Sequence, residues 1–241
     1  MMRTAVGAVR TCLAVLFLVV LVPVGALIAF PWTFITRNAN FLYSVGMGLA
    51  HWCARIAGAR IKLVGLNNID PTGTYIFMSN HVSNLDPPVL VPLIPRRTSV
   101  LAKRELWRIP ILGKALDLAE IVPVERHNRD AAIRSIRRAG EVMSHGINMT
   151  IYPEGTRSPD GRLLPFKKGP FHLALETGFP IVPVTILGTE EMMPKGSYIA
   201  KSGTATLVFH PPIDPKQVSS REDLMKAVRD AITSALPSER H

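Results

Sequence analysis

Seven short apolar runs recur along the second part of the chain, and segments with helical periodicity separate several of them. The runs occupy residues 61–64, 75–78, 99–102, 121–124, 149–152, 181–187 and 205–209. Apolar runs of this length, bounded by turn residues, indicate buried strands, and strands that alternate with helices indicate an α/β fold. The pattern therefore predicts an α/β domain over residues 61–241, with a mixed, largely parallel sheet flanked by helices.

Two of the predicted helices carry a clear apolar stripe. The stripe of the first helix consists of Ala132, Ile133, Ile136, Ala139, Val142 and Met143. Its opposite side is basic, with Arg134, Arg137 and Arg138, and such a face is more often a solvated surface than a binding site. The final helix is predicted to begin with the capping box Ser219-x-x-Glu222. Its predicted packing positions are Leu224, Val228, Ile232 and Leu236.

The first sixty residues differ from the rest, because their apolar stretches are far longer than a strand. Residues 11–36 contain no charged side chain, and as a helix they would extend about 39 Å, more than the roughly 30 Å of bilayer hydrocarbon. A second apolar stretch, at 41–57, carries small residues that permit close helix packing. Residues 1–60 are therefore predicted to form a membrane-embedded helical hairpin that precedes the domain at 61–241.

A secretory signal peptide is the alternative interpretation of this segment. Arg3 and Arg10 precede the apolar core, and Val24-x-Ala26 is a weak match to a cleavage site. The hairpin is favoured because the apolar character continues past Ala26 as far as Ile35. Whether the hairpin crosses the bilayer or lies in one leaflet stays open, since arginines flank it without a clear bias to one side.

The charge of the chain favours a phospholipid membrane over nucleic acid as its partner. The formal net charge is +10 at pH 7 and the pI is about 10.1, yet the mean hydropathy is positive, at +0.21. This combination is typical of proteins that contact anionic lipid headgroups. The sequence has no basic stripe interleaved with aromatic residues and no recognisable nucleic-acid motif, so nucleic acid is not expected as a partner.

Candidate catalytic residues follow the strand predicted at 75–78. His81 and Asp86 lie just beyond it, where open α/β sheets usually build their sites. On a regular helix, residues five apart point about 140° away from each other, so these two can share a site only if the backbone turns irregularly. A neutral imidazole held by a carboxylate is a general base. For the pair alone, the favoured interpretation is a strand-end histidine and a turn or cap residue.

A second polar loop follows the apolar run at 149–152. Arg157 can bind a phosphate through two parallel hydrogen bonds, and Thr156 can donate a further one. Gly155 lets the backbone approach a ligand closely, and Glu154 can hold Arg157 in place. The loop is typical of a phosphate site, although an ordinary surface loop with a Glu–Arg pair is a serious alternative when the loop is considered alone.

Together and in this order, these motifs resemble the glycerolipid acyltransferase family that includes 1-acylglycerol-3-phosphate acyltransferases. Asn80-His81-x4-Asp86 is similar to the first motif of that family, and Lys103-x-Glu105-Leu106-x3-Pro110-x2-Gly113 is similar to the second. Tyr152-Pro153-Glu154-Gly155-Thr156-Arg157-Ser158 is similar to the third, and Val182-Pro183-Val184 to the fourth. Tyr152 stands where phenylalanine is commoner. Four ordered motifs between Ile61 and Leu187 make the resemblance specific.

The resemblance implies transfer of a fatty acyl chain from acyl-CoA or acyl carrier protein to the sn-2 hydroxyl of 1-acyl-sn-glycerol 3-phosphate (lysophosphatidate), giving phosphatidate. In that reaction His81 removes the hydroxyl proton and Asp86 orients His81, with no metal and no cofactor besides the acyl donor. Arg157 and Lys103 are expected to hold the acceptor's phosphate, and Arg126, after the strand at 121–124, is a further phosphate candidate. A cytosolic donor places the catalytic domain on the cytoplasmic face of the membrane.

Two other functions fit the same residues. The acceptor can be another lysolipid, such as lyso-ornithine lipid, because the motifs constrain the chemistry more than the headgroup. A non-catalytic membrane lipid-binding protein, in which His81 and Asp86 serve structure, is the alternative from a different class. An assay with acyl-CoA and several lysolipids separates all three functions.

Overall fold

The structure is a computed structural model that describes residues 2–124 and 129–240. Its helices are α1 (Met2–Thr36), α2 (Asn40–Ile56), α3 (Asp86–Leu90), α4 (Leu112–Leu118), α5 (Arg129–Ser144), α6 (Gly169–Thr177), α7 (Thr189–Met192) and α8 (Arg221–Ser234). Its strands are β1 (Ala59–Val64), β2 (Ile76–Ser79), β3 (Thr98–Lys103), β4 (Val122–Val124), β5 (Asn148–Ile151), β6 (Ile181–Leu187) and β7 (Gly203–Phe209). Strands and helices alternate through most of the chain, as an α/β fold requires.

The strands form one sheet in the order β1-β7-β6-β2-β5-β3-β4. β2 pairs in parallel with β5 and β6, and β3 pairs in parallel with β4 and β5. β7 is antiparallel to β6 and parallel to β1, so β1 and β7 run against the other five strands. The predicted mixed, largely parallel sheet is confirmed, and the ends of every predicted strand lie within two residues of the observed ones.

The five mutually parallel strands end together at one side of the sheet, here called the carboxyl edge. Their last residues are Ser79, Lys103, Val124, Ile151 and Leu187. Both candidate loops, at 80–86 and 152–158, leave the sheet at this edge. Loops at the carboxyl ends of parallel strands are the usual place for a site in an α/β fold.

Helices cover both faces of the sheet, which explains the continuous apolar runs. Ile76 and Met78 belong to a core cluster with residues of α5, α6 and α8, whereas Phe77 belongs to a second cluster with residues of α2 and α3. All three side chains have no exposed surface. Successive side chains of a strand point to opposite faces, so a strand buried on both faces must be apolar at every position.

The final helix packs as predicted but begins one residue later. Leu224, Val228 and Ile232 are fully buried, and Leu236 is 8% exposed. The N-cap is Ser220, whose Oγ accepts the Asp223 N–H at 3.1 Å. The capping box predicted at Ser219 and Glu222 is therefore wrong, because Ser220 has the extended backbone of a cap residue and Asp223 supplies the third helical amide.

The two N-terminal helices form a hairpin whose first helix exposes long apolar side chains. Leu27 is 76% exposed and Ile35 is 82% exposed. Residues Ala5–Thr36 are long and apolar enough to cross a membrane, by length and composition. A continuous apolar surface of this kind on a folded protein marks a contact with lipid or with another protein.

The hairpin rests on the α/β part of the chain at more than one point. Ala54 of α2 is buried in the same core cluster as Phe77. The Ala200 N–H donates to Thr11 Oγ1 at 2.9 Å, which joins α1 to the segment before β7. The division into domains at residues 60 and 61 stays a prediction.

Candidate active site

Asn80 holds the first candidate loop where it leaves β2 at the carboxyl edge. Its Nδ2 donates to the Ile186 carbonyl at 2.9 Å, and the Ile186 N–H donates to its Oδ1 at 2.7 Å. Asn80 is buried, so this pair of bonds continues the connection of β2 to β6 beyond the last paired residue, Ser79. The chain then turns and enters α3 at Asp86.

His81 and Asp86 meet across this turn. His81 Nδ1 lies 2.7 Å from Asp86 Oδ2, and the same oxygen accepts the N–H groups of Val82 at 2.7 Å and Ser83 at 2.8 Å. The other oxygen, Asp86 Oδ1, accepts the Thr189 hydroxyl at 2.6 Å. On a regular helix these two side chains, five residues apart, would point away from each other. They meet here because the backbone turns irregularly between them.

These hydrogen bonds determine which nitrogen of His81 carries the proton. An ionised carboxylate only accepts hydrogen bonds, so Nδ1 must be the donor, and the neutral ring keeps a lone pair on Nε2. Asp86 has no exposed surface, whereas 12% of the His81 side chain is exposed. A buried carboxylate behind a partly accessible imidazole is the arrangement of a general base.

Tyr152 packs against the face of the His81 ring. The two ring centroids lie 4.1 Å apart with an angle of 23° between the planes. Burial, and to a smaller degree the charge of Asp86, raises the pKa of Tyr152 well above its ordinary value, so the phenol stays neutral. Stacking on one face and the bond to Asp86 at one nitrogen together hold the imidazole in a single orientation.

Glu154 holds the loop of His81 by accepting backbone hydrogen bonds, which corrects the hypothesis that it holds Arg157. Its Oε1 accepts the His81 backbone N–H at 2.6 Å, and its Oε2 accepts the Leu164 N–H at 2.9 Å. Both carboxylate oxygens are thus occupied by backbone amides, and Glu154 is only 2% exposed. Burial raises the pKa of Glu154 to about 7, although the two amide bonds partly oppose this shift.

The raised pKa of Glu154 predicts a pH-dependent stability difference between the wild type and Glu154→Gln. Because the folded pKa of about 7 lies above the ordinary value of 4.5, protonation favours folding, and this stabilisation is lost as the pH rises through 7. Glutamine does not titrate, so the wild type should lose on the order of 3 kcal/mol relative to Glu154→Gln between pH 4.5 and pH 8. Thermal unfolding in detergent at several pH values measures the difference.

A matched control for this prediction is Glu176→Gln on α6, because the Glu176 side chain is 55% exposed. Its stability difference from the wild type should change much less than that of Glu154→Gln across the same pH range. A flat difference for Glu154→Gln would show that the Glu154 carboxyl does not titrate in this range in the folded protein.

The second candidate loop reaches the first through Ser158. The Ser158 N–H donates to the His81 carbonyl at 2.8 Å. This bond places the preceding residue, Arg157, next to the first candidate loop. Arg157 Nη1 is buried and has no hydrogen-bond partner within the described residues. Gly155 has the left-handed backbone (φ 72°) that permits this tight turn, and Thr156 is exposed. A buried guanidinium nitrogen without a partner fits a site for an anion.

Two phosphate candidates remain, Lys103 and Arg126, and the structure describes only the first. Lys103 is the exposed last residue of β3 at the carboxyl edge. The sheet order places β3 two strands from β2, or about 10 Å at the usual strand spacing. Arg126 lies outside the described residues.

Two residues of the site were missed from the sequence. Thr189 holds Asp86, and Lys195 Nζ donates to the Arg157 carbonyl at 2.8 Å. The signal for Thr189 is its position just after β6, since a hydroxyl there lies at the same edge as the strand-end histidine. Lys195 carries no such signal, because it lies in an irregular segment well past the strand.

The fold and this site define an acyltransferase. The Acyltransferase family model matches residues 60–187, which is more than half of the chain and includes both candidate loops. The match begins at the start of the sheet and ends with β6, so it contains the strands that carry His81, Asp86 and Arg157.

Similar proteins show which group of acyltransferases the chain belongs to. The chain is 37% identical over 213 residues to a 1-acyl-sn-glycerol-3-phosphate acyltransferase of Limnanthes douglasii, covering 86% of this chain and 74% of that protein. It is 34% identical over 184 residues to one of Borreliella burgdorferi, covering 75% and 73%. The crystal structure of the acyltransferase PlsC from Thermotoga maritima superposes with a TM-score of 0.77 at 29% identity, covering 95% of both chains. This chain therefore belongs to the 1-acyl-sn-glycerol-3-phosphate acyltransferase family.

Proposed function

We propose that this chain transfers a fatty acyl group from acyl-CoA or acyl carrier protein to the sn-2 hydroxyl of lysophosphatidate, giving phosphatidate. The observation that carries the proposal is the His81–Asp86 pair with Arg157 beside it. The pair supplies a base, and the guanidinium supplies a partner for a phosphate. The names of the similar proteins support lysophosphatidate as the acceptor.

In this reaction His81 Nε2 takes the proton of the acceptor hydroxyl while the hydroxyl oxygen attacks the carbonyl carbon of the thioester. The new C–O bond gives a tetrahedral intermediate, which collapses as the C–S bond breaks. The proton then passes from Nε2 to the leaving thiolate. The Asp86 carboxylate, positioned by its four hydrogen bonds, faces the imidazolium that forms.

The apolar surface of α1 supports a membrane location for this chemistry. The acceptor is a lipid, and side chains such as Leu27 and Ile35 would be covered if the hairpin lay in the bilayer. We place the catalytic domain on the cytoplasmic face, where thioester donors are found. The carboxyl edge would then take the acceptor from the membrane and the donor from the cytosol.

We expect the full-length protein to sediment with membranes and to stay there in high salt and in carbonate. The reason is that insertion of apolar side chains is not screened by salt, whereas attraction of the basic surface to anionic headgroups is. Fractionation followed by immunoblotting measures the distribution. Release by salt or carbonate alone would show that charge, and not insertion, holds the protein.

Arg157→Lys should weaken the use of lysophosphatidate. A lysine ammonium cannot reproduce the two parallel hydrogen bonds of a guanidinium, and a charge-assisted bond is worth about 1.5 to 3 kcal/mol. The expected loss is about 10- to 150-fold in kcat/KM for the acceptor. Lys103→Ala should act in the same direction if Lys103 also holds the phosphate.

Arg162→Lys is the matched control, because Arg162 lies in the same segment but is 69% exposed. Steady-state kinetics with each substrate varied in turn give the result. A defect confined to the KM of the donor would move Arg157 to the donor's phosphates and would remove the main support for a phosphate monoester as the acceptor.

The function itself is tested with purified protein, acyl-CoA or acyl carrier protein, and a panel of lysolipids. Phosphatidate formation that exceeds all other products supports the proposal. Preferred acylation of another lysolipid, such as lyso-ornithine lipid, would change the acceptor but keep the chemistry. Binding of lysolipids without any transfer would identify a lipid-binding protein in which His81 and Asp86 serve structure.

A further inference from the structure

Two pockets lie next to each other between the strand ends and α5. The first, called the strand-end pocket, has a volume of about 290 Å³ and is lined by apolar side chains of three strands, Leu101, Val124 and Ile151, and by Tyr152. The second, called the arginine pocket, has a volume of about 310 Å³ and is lined by Arg104, Arg134 and Arg138. Ser135 lines both pockets, so the two share a wall.

Among the described residues that line it, the arginine pocket gathers positive charge without a carboxylate. The side chains of Arg104 and Arg134 form no hydrogen bond or ion pair within the described residues. Arg138 donates to Glu141 Oε2 at 2.9 Å, but both side chains are largely exposed, and such a pair contributes little. Three guanidinium groups around one concavity repel one another unless an anion lies between them, and guanidinium groups match phosphate oxygens in geometry.

The pockets also lie at a defined distance from the catalytic base. Tyr152 stacks on His81 and lines the strand-end pocket, so that pocket starts beside the reacting atoms. β4, which borders the arginine pocket, lies three strands from β2, or about 14 Å at the usual strand spacing. A thioester donor with its carbonyl at His81 therefore has room for an extended arm before its phosphates reach the arginines.

We propose that the arginine pocket binds the phosphates of an acyl-CoA donor, with the pantetheine arm lying along the strand-end pocket. This inference rests on the proposed function, because it assigns the donor of the same reaction. CoA combines the required parts in the required order: a thioester, an extended arm and several phosphates. A concave pocket of this volume suits a compact polyanion, whereas a carrier protein would contact a broad surface.

The test compares the wild type with the double variant Arg104→Gln and Arg134→Gln. Both arginines are exposed and unpartnered, so their replacement should not disturb the fold. The KM for acyl-CoA should rise about 10- to 150-fold, the range expected when a charge-assisted hydrogen bond is lost. The KM for lysophosphatidate should stay near the wild-type value. Arg137→Gln is the matched control, since Arg137 lies on the same helix but does not line the pocket.

A second substrate makes the test specific for phosphate. Acyl-pantetheine has the thioester and the arm but no phosphate, so the wild type should use it poorly compared with acyl-CoA. The double variant should lose this preference, because its pocket no longer distinguishes the two donors. A preference for acyl-CoA equal to that of the wild type would overturn the proposal.

Two further measurements separate this proposal from the proposed function. Calorimetric titration of CoA into the full-length protein in detergent should show binding that the double variant loses, whether or not transfer occurs. If the wild type is active and the double variant binds CoA normally, the proposed CoA site is overturned and the proposed function stands. If the wild type transfers no acyl group to any lysolipid, the proposed function is overturned. If the double variant used acyl-CoA normally but transferred poorly from acyl carrier protein, the arginine pocket would be a docking site for the carrier, and the proposed CoA site would be overturned.

Discussion

His81→Ala is expected to lower the turnover of acyl transfer by about 10²- to 10⁴-fold, the usual contribution of a positioned base. The structure explains why no other side chain replaces it. Asp86 is fully buried behind the ring, and the Tyr152 phenol stays neutral because burial raises its pKa. Among the side chains of this loop, residues 80–86, His81 is the one with a basic nitrogen, and it is partly exposed.

The fold should survive the loss of the imidazole. Asp86 keeps three of its four donors, from Val82, Ser83 and Thr189. His172→Ala is the control, since His172 is 67% exposed on α6 and remote from the loop in sequence. Turnover with lysophosphatidate and acyl-CoA is measured beside the circular dichroism of each variant. A folded His81→Ala protein with wild-type turnover would falsify the general-base role.

Asp86→Ala is expected to abolish transfer and also to destabilise the protein, which distinguishes it from His81→Ala. The substitution leaves the Val82 and Ser83 N–H groups buried without an acceptor. Each unsatisfied buried donor costs about 1 to 3 kcal/mol, so the two together should lower the free energy of unfolding by roughly 2 to 6 kcal/mol. Denaturant unfolding in detergent measures the change.

Asp86→Asn is the matched variant that separates charge from structure. The two backbone donors favour the orientation in which the amide oxygen replaces Oδ2, and the amide nitrogen then donates to the Thr189 hydroxyl. The tautomer of His81 is thereby kept, and only the negative charge is lost. We expect near-native stability with a loss in turnover of about 10- to 150-fold. Equal stability of Asp86→Ala and the wild type would contradict the structural role of the carboxylate.

The strands could be predicted from the sequence because most of them are buried on both faces. A strand such as β2 must be apolar at each position, so it appears as a short run that ends at polar residues. The start of α8 shows the limit of such signals. Ser219 and Ser220 are both able to cap a helix, and only the backbone geometry at Ser220 decides between them.

Glu154 shows why the details of the site could not be predicted. Arg157 follows Glu154 by three residues, so the sequence suggests a local ion pair between the two side chains. In the fold it instead accepts backbone amides that lie 73 and 10 residues away in the sequence. Buried backbone N–H groups must find acceptors, and this requirement outweighs an ion pair near the surface.

The order and type of the elements, the apolar hairpin and the residue types of the two loops can be obtained from the sequence, because each depends on neighbours along the chain. Which side chains meet was decided by the sheet order, which places β5 and β6 on either side of β2. β5 brings Glu154 and Arg157 to His81, and β6 brings Thr189 to Asp86 across 103 residues. Contacts of this range form only when distant strands pair, and no local pattern specifies that pairing.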